Sequence, residues 1–208
     1  MRLQLKIVEL LENEKELTIN QIAKKLKESY SFVNRIVNAM IKENILLKES
    51  VGHSFLCRLN LANDTAKALF ILNETNKKKE FFEKNKDIKL ISEEIIKKIP
   101  EANMVSIFGS YAKNTQTKES DIDVLIFTDK KIDSTELVRS INSVYNKEIS
   151  PIIITKDDFK KNKTNENANH FQGIRKPSAF ETLIREVIKS HIIINGFEEF
   201  IKMIQNEA

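Results

Sequence analysis

The sequence predicts an α+β protein in two parts, and two patterns lead to that prediction. Over residues 1–61, three segments with the apolar spacing of helices precede two short extended runs that meet near Gly52. Over residues 88–208, apolar runs typical of strands alternate with amphipathic segments typical of helices, which predicts a mixed sheet flanked by helices. The charged stretch at residues 62–87 is predicted to be a helical linker, exposed rather than part of a core.

The composition is that of a globular protein. The 208 residues include 41% hydrophobic and 31% charged side chains, and a net charge of +4 is compatible with a nucleic-acid partner without requiring one. No apolar run approaches the roughly 20 residues of a membrane helix, so we expect a cytoplasmic protein with no membrane partner. The single Cys57 excludes an internal disulfide, and three histidines are too few for a Cys/His zinc cage.

Capping residues predict where the N-terminal elements begin and end. Thr18 and Ser29 stand where the second and third helices should start, because their side chains can accept a backbone hydrogen bond. Asn44 is a suitable stop for the third helix. The extended runs at residues 45–50 and 54–60 then predict a hairpin.

The stretch that carries chemistry is MVSIFGSYAKNTQTKESDIDVLIFT, residues 104–128. Its first predicted strand ends at Gly109–Ser110, and its second carries Asp121 and Asp123. Because strand side chains alternate between faces, both acids point the same way. Two like charges on one face are unfavourable unless something neutralises them. Either a divalent cation does so, or the acids lie at an exposed strand end and pair with lysines.

The residues around this acid pair favour a phosphate site. Gly109 allows the backbone to approach a ligand closely, Ser110 offers a hydroxyl group, and Lys113 adds positive charge one helical turn later. Together with the acids they predict a site for a triphosphate with Mg²⁺ or Mn²⁺. The glycine-rich loops of ordinary ATPases and dinucleotide enzymes are absent from the sequence, which excludes those two classes of phosphate site.

F-G-S, ten further residues and then D-I-D-V resemble the signature of the DNA polymerase beta-like nucleotidyltransferase superfamily, especially its minimal members. The resemblance covers residues 88–154. It implies that Gly109 and Ser110 hold the β- and γ-phosphates of an NTP, with ATP as the expected one, and that Asp121 and Asp123 bind the catalytic metals. The implied reaction is in-line attack of an acceptor hydroxyl on the α-phosphate, with release of pyrophosphate.

Active members of that superfamily usually carry a third carboxylate on a later strand. The candidate strand here, KEISPIIIT, offers Glu148 at its start, which we take as the catalytic candidate. Ser150 and Ile152 are the alternatives for the residue that occupies the position of the third carboxylate on this strand. Pro151 cannot donate to a ladder and predicts an edge strand or a bulge.

Residues 1–61 resemble the winged helix-turn-helix domains of bacterial and archaeal regulators. The resemblance implies a recognition helix over residues 30–43. The predicted contacts to double-stranded DNA are Tyr30, Ser31, Asn34, Arg35, Asn38 and Arg58. Such domains also bind proteins or form homodimers, so these partners are alternatives to DNA.

The polar segment at residues 162–178 is predicted to be irregular. In it, His170, Arg175 and Lys176 lie close together in sequence. Arg175 would contact a phosphate if the segment clamps a substrate, and the alternative is an ordinary surface loop.

Two functions follow from these predictions. The first is a Mg²⁺-dependent nucleotidyltransferase that transfers NMP to a protein or nucleic-acid hydroxyl. Minimal members of the superfamily are often antitoxins that modify a toxin with AMP, so the resemblance includes a partner toxin among the acceptors. The second is a DNA-binding transcriptional regulator or antitoxin whose nucleotide-binding domain is degenerate.

Overall fold

The computed structural model describes residues 2–52, 54–169 and 178–207, and the chain forms two compact units. The N-terminal unit ends at Asn76 and the C-terminal unit begins at Lys77, within one continuous helix. None of the helices in these described ranges has both the length and the apolar surface needed to cross a membrane.

The N-terminal unit packs its helices against a small antiparallel sheet. The elements are α1 Arg2–Glu14, β1 Glu16–Thr18, α2 Ile19–Leu26, α3 Tyr30–Lys42, β2 Leu46–Val51, β3 Ser54–Leu59 and α4 Asp64–Lys84, which continues into the next unit. The strands lie in the order β1-β3-β2. Buried side chains from all three helices and the sheet form one core, which includes Ile7, Leu11, Ile22, Val33, Val37, Met40, Leu46 and Cys57.

Local sequence explains most of these boundaries. Thr18 begins α2 with a capping box, in which its Oγ1 accepts from Gln21 N at 3.2 Å and Gln21 Oε1 accepts from Thr18 N at 2.8 Å. Asn44 follows the end of α3 in the left-handed conformation, at φ +58°. These two predictions are confirmed. Strand β1 was not predicted, because three residues become extended only through pairing with β3, where Leu17 lies opposite Cys57.

The C-terminal unit alternates helices and strands. Its elements after α4 are α5 Lys86–Lys98, β4 Met104–Ile107, α6 Gly109–Ala112, β5 Ile122–Thr128, α7 Thr135–Tyr145, β6 Ile149–Thr155, α8 Lys156–Asn169, α9 Ala179–Lys189, β7 Ile192–Asn195 and α10 Phe197–Glu207. The four strands lie in the order β6-β5-β4-β7, with β5 and β6 parallel and the other pairs antiparallel. The predicted mixed sheet is confirmed, and β6 is an edge strand, as Pro151 indicates.

Strand β5 is buried on both faces. One face carries Ile122, Val124 and Ile126, which pack in a core with residues of α5 and α7. On the other face, Phe127 packs edge-to-face against Phe159 of α8, which in turn contacts a phenylalanine of α9. By alternation, Asp121 and Asp123 share the face of Phe127, so the acids lie on the α8 and α9 side of the sheet.

Two sequence predictions need correction. The stretch at residues 62–87 contributes to cores, since α4 buries Phe70 and Phe81 to 1% and 5% exposure. The lysines at residues 77–79 make the apolar spacing of this helix hard to recognise in the sequence. The segment at residues 162–178 is helical in its first part, because α8 continues to Asn169 from a start capped by Thr155 Oγ1, which accepts from Asp158 N at 3.1 Å. His170, Arg175 and Lys176 lie outside the described residues.

We expect Ile126→Ala to lower the free energy of unfolding by about 2–5 kcal/mol, because it empties a fully buried position at the centre of β5. Ile152→Ala is the matched control, with the same change of side chain on the neighbouring strand β6, where Ile152 is 37% exposed. That variant should lose about 1 kcal/mol or less. Denaturant unfolding measures both variants, and equal losses would contradict the central place of β5 in the core.

Candidate active site

The acid pair lies at the start of β5. Asp121 is exposed and immediately precedes the strand, and Asp123 is half-buried as its second residue. The ladder with β6 begins at the same level, where Ile122 N donates to the backbone oxygen of Glu148 at 2.9 Å. Asp123 is therefore positioned by a paired strand, which holds it more precisely than a loop would, and Asp121 precedes that strand by one residue.

The end of β4 brings Gly109 against Asp123. Phe108 N donates to the backbone oxygen of Asp123 at 3.0 Å, which places the next residue beside the carboxylate. Gly109 has φ +65°, and a Cβ atom there would lie 2.0 Å from Asp123 Oδ2. Glycine is required twice, by the left-handed backbone and by the lack of space. Ser110 follows in α6, so the structure brings the predicted Gly-Ser pair and acid pair together.

Strand β6 contributes a hydroxyl group beside the acids. Ser150 lies opposite Asp123 in the parallel ladder, and its Oγ donates to Asp121 Oδ2 at 3.3 Å. Ile152 lies further along the strand, opposite Leu125, and is not at the acids. The exposed Glu148 precedes the strand by one residue, so alternation puts it on the face of Ser150. The residue in register with Asp123 is thus a serine, and the nearest acid on this strand is at its beginning.

The electrostatics disfavour a charged Asp123 in the absence of a cation. Burial raises the pKa of the Asp123 carboxyl group, and the negative charges of Asp121 and Glu186 raise it further. The positive charge of Lys113 lowers the pKa of Asp123 and so offsets part of this rise. A divalent cation between the carboxylates would relieve both the burial and the repulsion, and carboxylate oxygens are the ligands that Mg²⁺ and Mn²⁺ prefer.

Lys113 is held by an acid that sequence reasoning missed. Its backbone N–H donates to Gly109 O at 3.2 Å, and its Nζ lies 2.5 Å from Glu186 Oε1 on α9. No sequence pattern links these two residues, which are 73 positions apart. Glu186 is also a polar residue of the amphipathic helix α9, and in the sequence it looks like any acid on the exposed face of such a helix.

A polar cavity of about 370 Å³ opens beside Asp121. It is lined by the loop before β5, the C-terminal end of α7 and the residues that precede β6, among them Lys118, Asn142, Asn146, Lys147 and Glu148. Lys147 Nζ donates to the hydroxyl of buried Tyr111 at 3.1 Å, and that hydrogen bond raises the pKa of the Lys147 ammonium. Asp121 therefore borders a space that is large enough for part of a substrate.

The predicted DNA contacts occupy two elements of the N-terminal unit. Four of them are exposed on α3, namely Tyr30, Ser31, Arg35 and Asn38. Asn34 is half-buried, and its Oδ1 accepts from Asn38 Nδ2 at 2.9 Å. Arg58 lies instead on the central strand β3, exposed and opposite Glu16.

Comparison with known proteins gives a family match. Residues 88–195, just over half of the chain, match the family described as nucleotidyltransferase domain. A crystal structure of a toxin-antitoxin with AMP-PNP is similar at 21% identity and a TM-score of 0.36, covering 55% of this chain and 84% of that chain. A crystal structure of a mutant of the toxin-antitoxin MntA-HpeT is similar at 20% identity and a TM-score of 0.38, covering 57% and 84%. No curated protein matches the chain.

We expect Gly109→Ala to destabilise the protein by about 2–4 kcal/mol, because the new methyl group meets the Asp123 carboxylate in addition to straining the backbone. Gly52→Ala separates the two effects. Gly52 also has a positive φ, at +58°, but a Cβ there would meet nothing within 4 Å, so only the strain of about 1–2 kcal/mol remains. Equal losses in denaturant unfolding would show that the close approach of Gly109 to Asp123 has no energetic consequence.

We expect Asp123→Asn to stabilise the metal-free protein at neutral pH. Because the folded-state pKa of Asp123 lies above the ordinary value of 3.8, the native protein loses stability as pH rises through that raised value, and asparagine removes the loss. The gain should disappear when both states are protonated, below the ordinary pKa. Thermal unfolding in EDTA across a pH series measures it.

Asp133→Asn provides a control of opposite sign for that series. Hydrogen bonds from the Thr135 side chain and backbone lower the pKa of Asp133, so its ionised form stabilises the native state above the ordinary pKa. The control should therefore lower stability at neutral pH. A loss of stability in Asp123→Asn as well would contradict the electrostatic account of the acid pair.

Proposed function

This chain belongs to the nucleotidyltransferase domain family, and from that premise we propose that it transfers NMP from an NTP to a hydroxyl group of a protein or nucleic acid. ATP is the first donor to test. The observation that supports the proposal most is the close contact between the Gly109–Ser110 turn and Asp123, a carboxylate of the acid pair. A turn of this kind beside two acids suits a triphosphate that arrives with its metal ions.

The proposed metal ligands are Asp121 and Asp123. Their fit to Mg²⁺ or Mn²⁺ rests on the donor set, two carboxylates two residues apart at the start of β5, and on the unfavourable charge of the half-buried Asp123. When bound, such ions stabilise the negative charge that develops on the attacking and leaving oxygens. Ser150 orients Asp121 through its hydrogen bond, which leaves the other oxygen of that carboxylate available to a metal.

The residues on either side of the acid pair have different proposed roles. Gly109 and Ser110 receive the β- and γ-phosphates at the end of β4, and Lys113 adds a positive charge to them. Glu148, at the opposite side and on the border of the polar cavity, is the proposed third carboxylate and accepts the proton of the attacking hydroxyl. The acceptor would then enter from the β6 side of the acids.

We further propose that residues 1–61 form a winged helix-turn-helix module, joined by residues 62–87 to a nucleotidyltransferase domain at residues 88–208. The order of three helices and an antiparallel strand pair supports this, as does the exposed polar surface of α3. The proposed partners of the module are double-stranded DNA, a partner protein such as a toxin, or a second copy of the chain. Arg35, whose guanidinium lies 5.4 Å from the ring of Phe32, is its proposed base-reading residue.

The test is transfer of label from α-labelled ATP, GTP, CTP and UTP, with Mg²⁺ or Mn²⁺, in lysate and with purified protein. We expect labelled protein or nucleic acid, and a loss of at least about a hundredfold in Asp121→Ala/Asp123→Ala, since metal ions contribute several kcal/mol to such reactions. Glu93→Ala/Glu94→Ala, which removes two neighbouring acids from α5, is the matched control and should retain activity. Transfer that survives the loss of the β5 acids would refute the assigned site.

A second candidate function is supported by Ser150. Because the position opposite Asp123 holds a hydroxyl rather than a carboxylate, the domain would also suit a nucleotide-binding regulator or antitoxin that has lost catalysis. Metal-dependent nucleotide binding without transfer would favour that function. Arg35→Ala should then weaken binding to the protein's DNA site, measured by fluorescence anisotropy, while Arg139→Ala on α7 should not.

A further inference from the structure

The Lys113–Glu186 ion pair lies at the edge of the candidate phosphate site. Lys113 follows Gly109 by one helical turn, and Gly109 in turn contacts Asp123, so a continuous set of contacts joins the pair to Asp123. The side chains of Lys113 and Glu186 are 44% and 40% exposed. The pair is therefore reachable by a ligand without unfolding of the helices that carry it.

The charges in this set do not balance. When all are ionised, Asp121, Asp123 and Glu186 contribute three negative charges and Lys113 one positive charge, which leaves a net charge of −2. A metal-free triphosphate, itself a polyanion, would meet repulsion here and would find Lys113 already bound to a carboxylate. One divalent cation neutralises the excess.

We propose that Glu186 is a positioning residue that holds Lys113 while the phosphate site is empty and competes with the incoming triphosphate for its ammonium group. The inference rests on the proposed function. Lysine suits such an exchange because its three donors sit on a flexible stem and can turn from a carboxylate to a phosphate oxygen. Glu186 thereby makes triphosphate binding depend more strongly on the metal ion.

The expected size of the effect follows from the exposure of the pair. Half-exposed ion pairs are weak, and the loss of one changes an equilibrium by up to about fivefold. Glu186→Gln should thus tighten the binding of metal-free inorganic triphosphate by up to about fivefold. It should change the binding of triphosphate with Mg²⁺ less, because the ion already offsets the negative charge.

Calorimetric titration with inorganic triphosphate, in EDTA and in Mg²⁺, tests this in a double-mutant cycle. The proteins are wild type, Glu186→Gln, Lys113→Gln and the double variant. We expect the gain from Glu186→Gln to vanish when Lys113 is already glutamine, since Glu186 then has no ammonium to hold. If Glu186→Gln acted only by removing a negative charge, it would change the affinity for triphosphate equally whether residue 113 is lysine or glutamine.

Two further variants complete the design. Glu136→Gln removes an exposed acid from α7, which packs on the other face of the sheet, and should leave triphosphate binding unchanged. Glu186→Asp keeps the negative charge and, unlike Glu186→Gln, should leave triphosphate binding nearly as dependent on Mg²⁺ as it is in wild type. A gain that persists in the Lys113→Gln background, or no gain at all, would overturn this inference alone. If wild type binds no inorganic triphosphate even with Mg²⁺, the inference fails, whereas the proposed function is decided by the label-transfer experiment.

Discussion

The close contact between the Gly109 backbone and the Asp123 carboxylate is the constraint on which the candidate site depends. The antiparallel pairing of β4 and β5 brings them together, and the contact is tolerated only because residue 109 has no side chain. It half-buries a carboxylate that would otherwise be solvated, which raises the pKa of Asp123. The features that destabilise the empty site are the features that suit a cation and a phosphate.

The rest of the C-terminal unit supplies the rigidity that such a contact requires. On one face, β5 is held by isoleucine and valine side chains packed against α5 and α7. On the other, aromatic contacts link it to α8 and α9. The second of these contacts also positions α9, so the core that supports the acid pair brings a further carboxylate, Glu186, within range of it. Helix α9 therefore contributes both an aromatic packing contact and the carboxylate that acts on Asp123.

The predictability of each feature depends on how local its cause is. The Gly109–Ser110 turn, the acids on one strand face and the cap at Thr18 were readable because a few adjacent residues determine them. Strand β1, and the pairing of Lys113 with Glu186, arise from contacts between distant segments and leave no local pattern. The choice between Ser150 and Ile152 needed the register of β6 against β5, which a single sequence does not contain.

Pro151 has a consequence for how the molecule meets its surroundings. Because Glu148 O accepts from Ile122 N, alternation directs the backbone groups of Glu148, Ser150 and Ile152 toward β5 and those of Pro151 toward the open edge of the sheet. The proline therefore costs no ladder hydrogen bond, yet it interrupts the outer row of donors that another strand would need. The border of the sheet nearest the acids is protected against joining the sheet of a second molecule, and it stays open to ligands that bind through side chains.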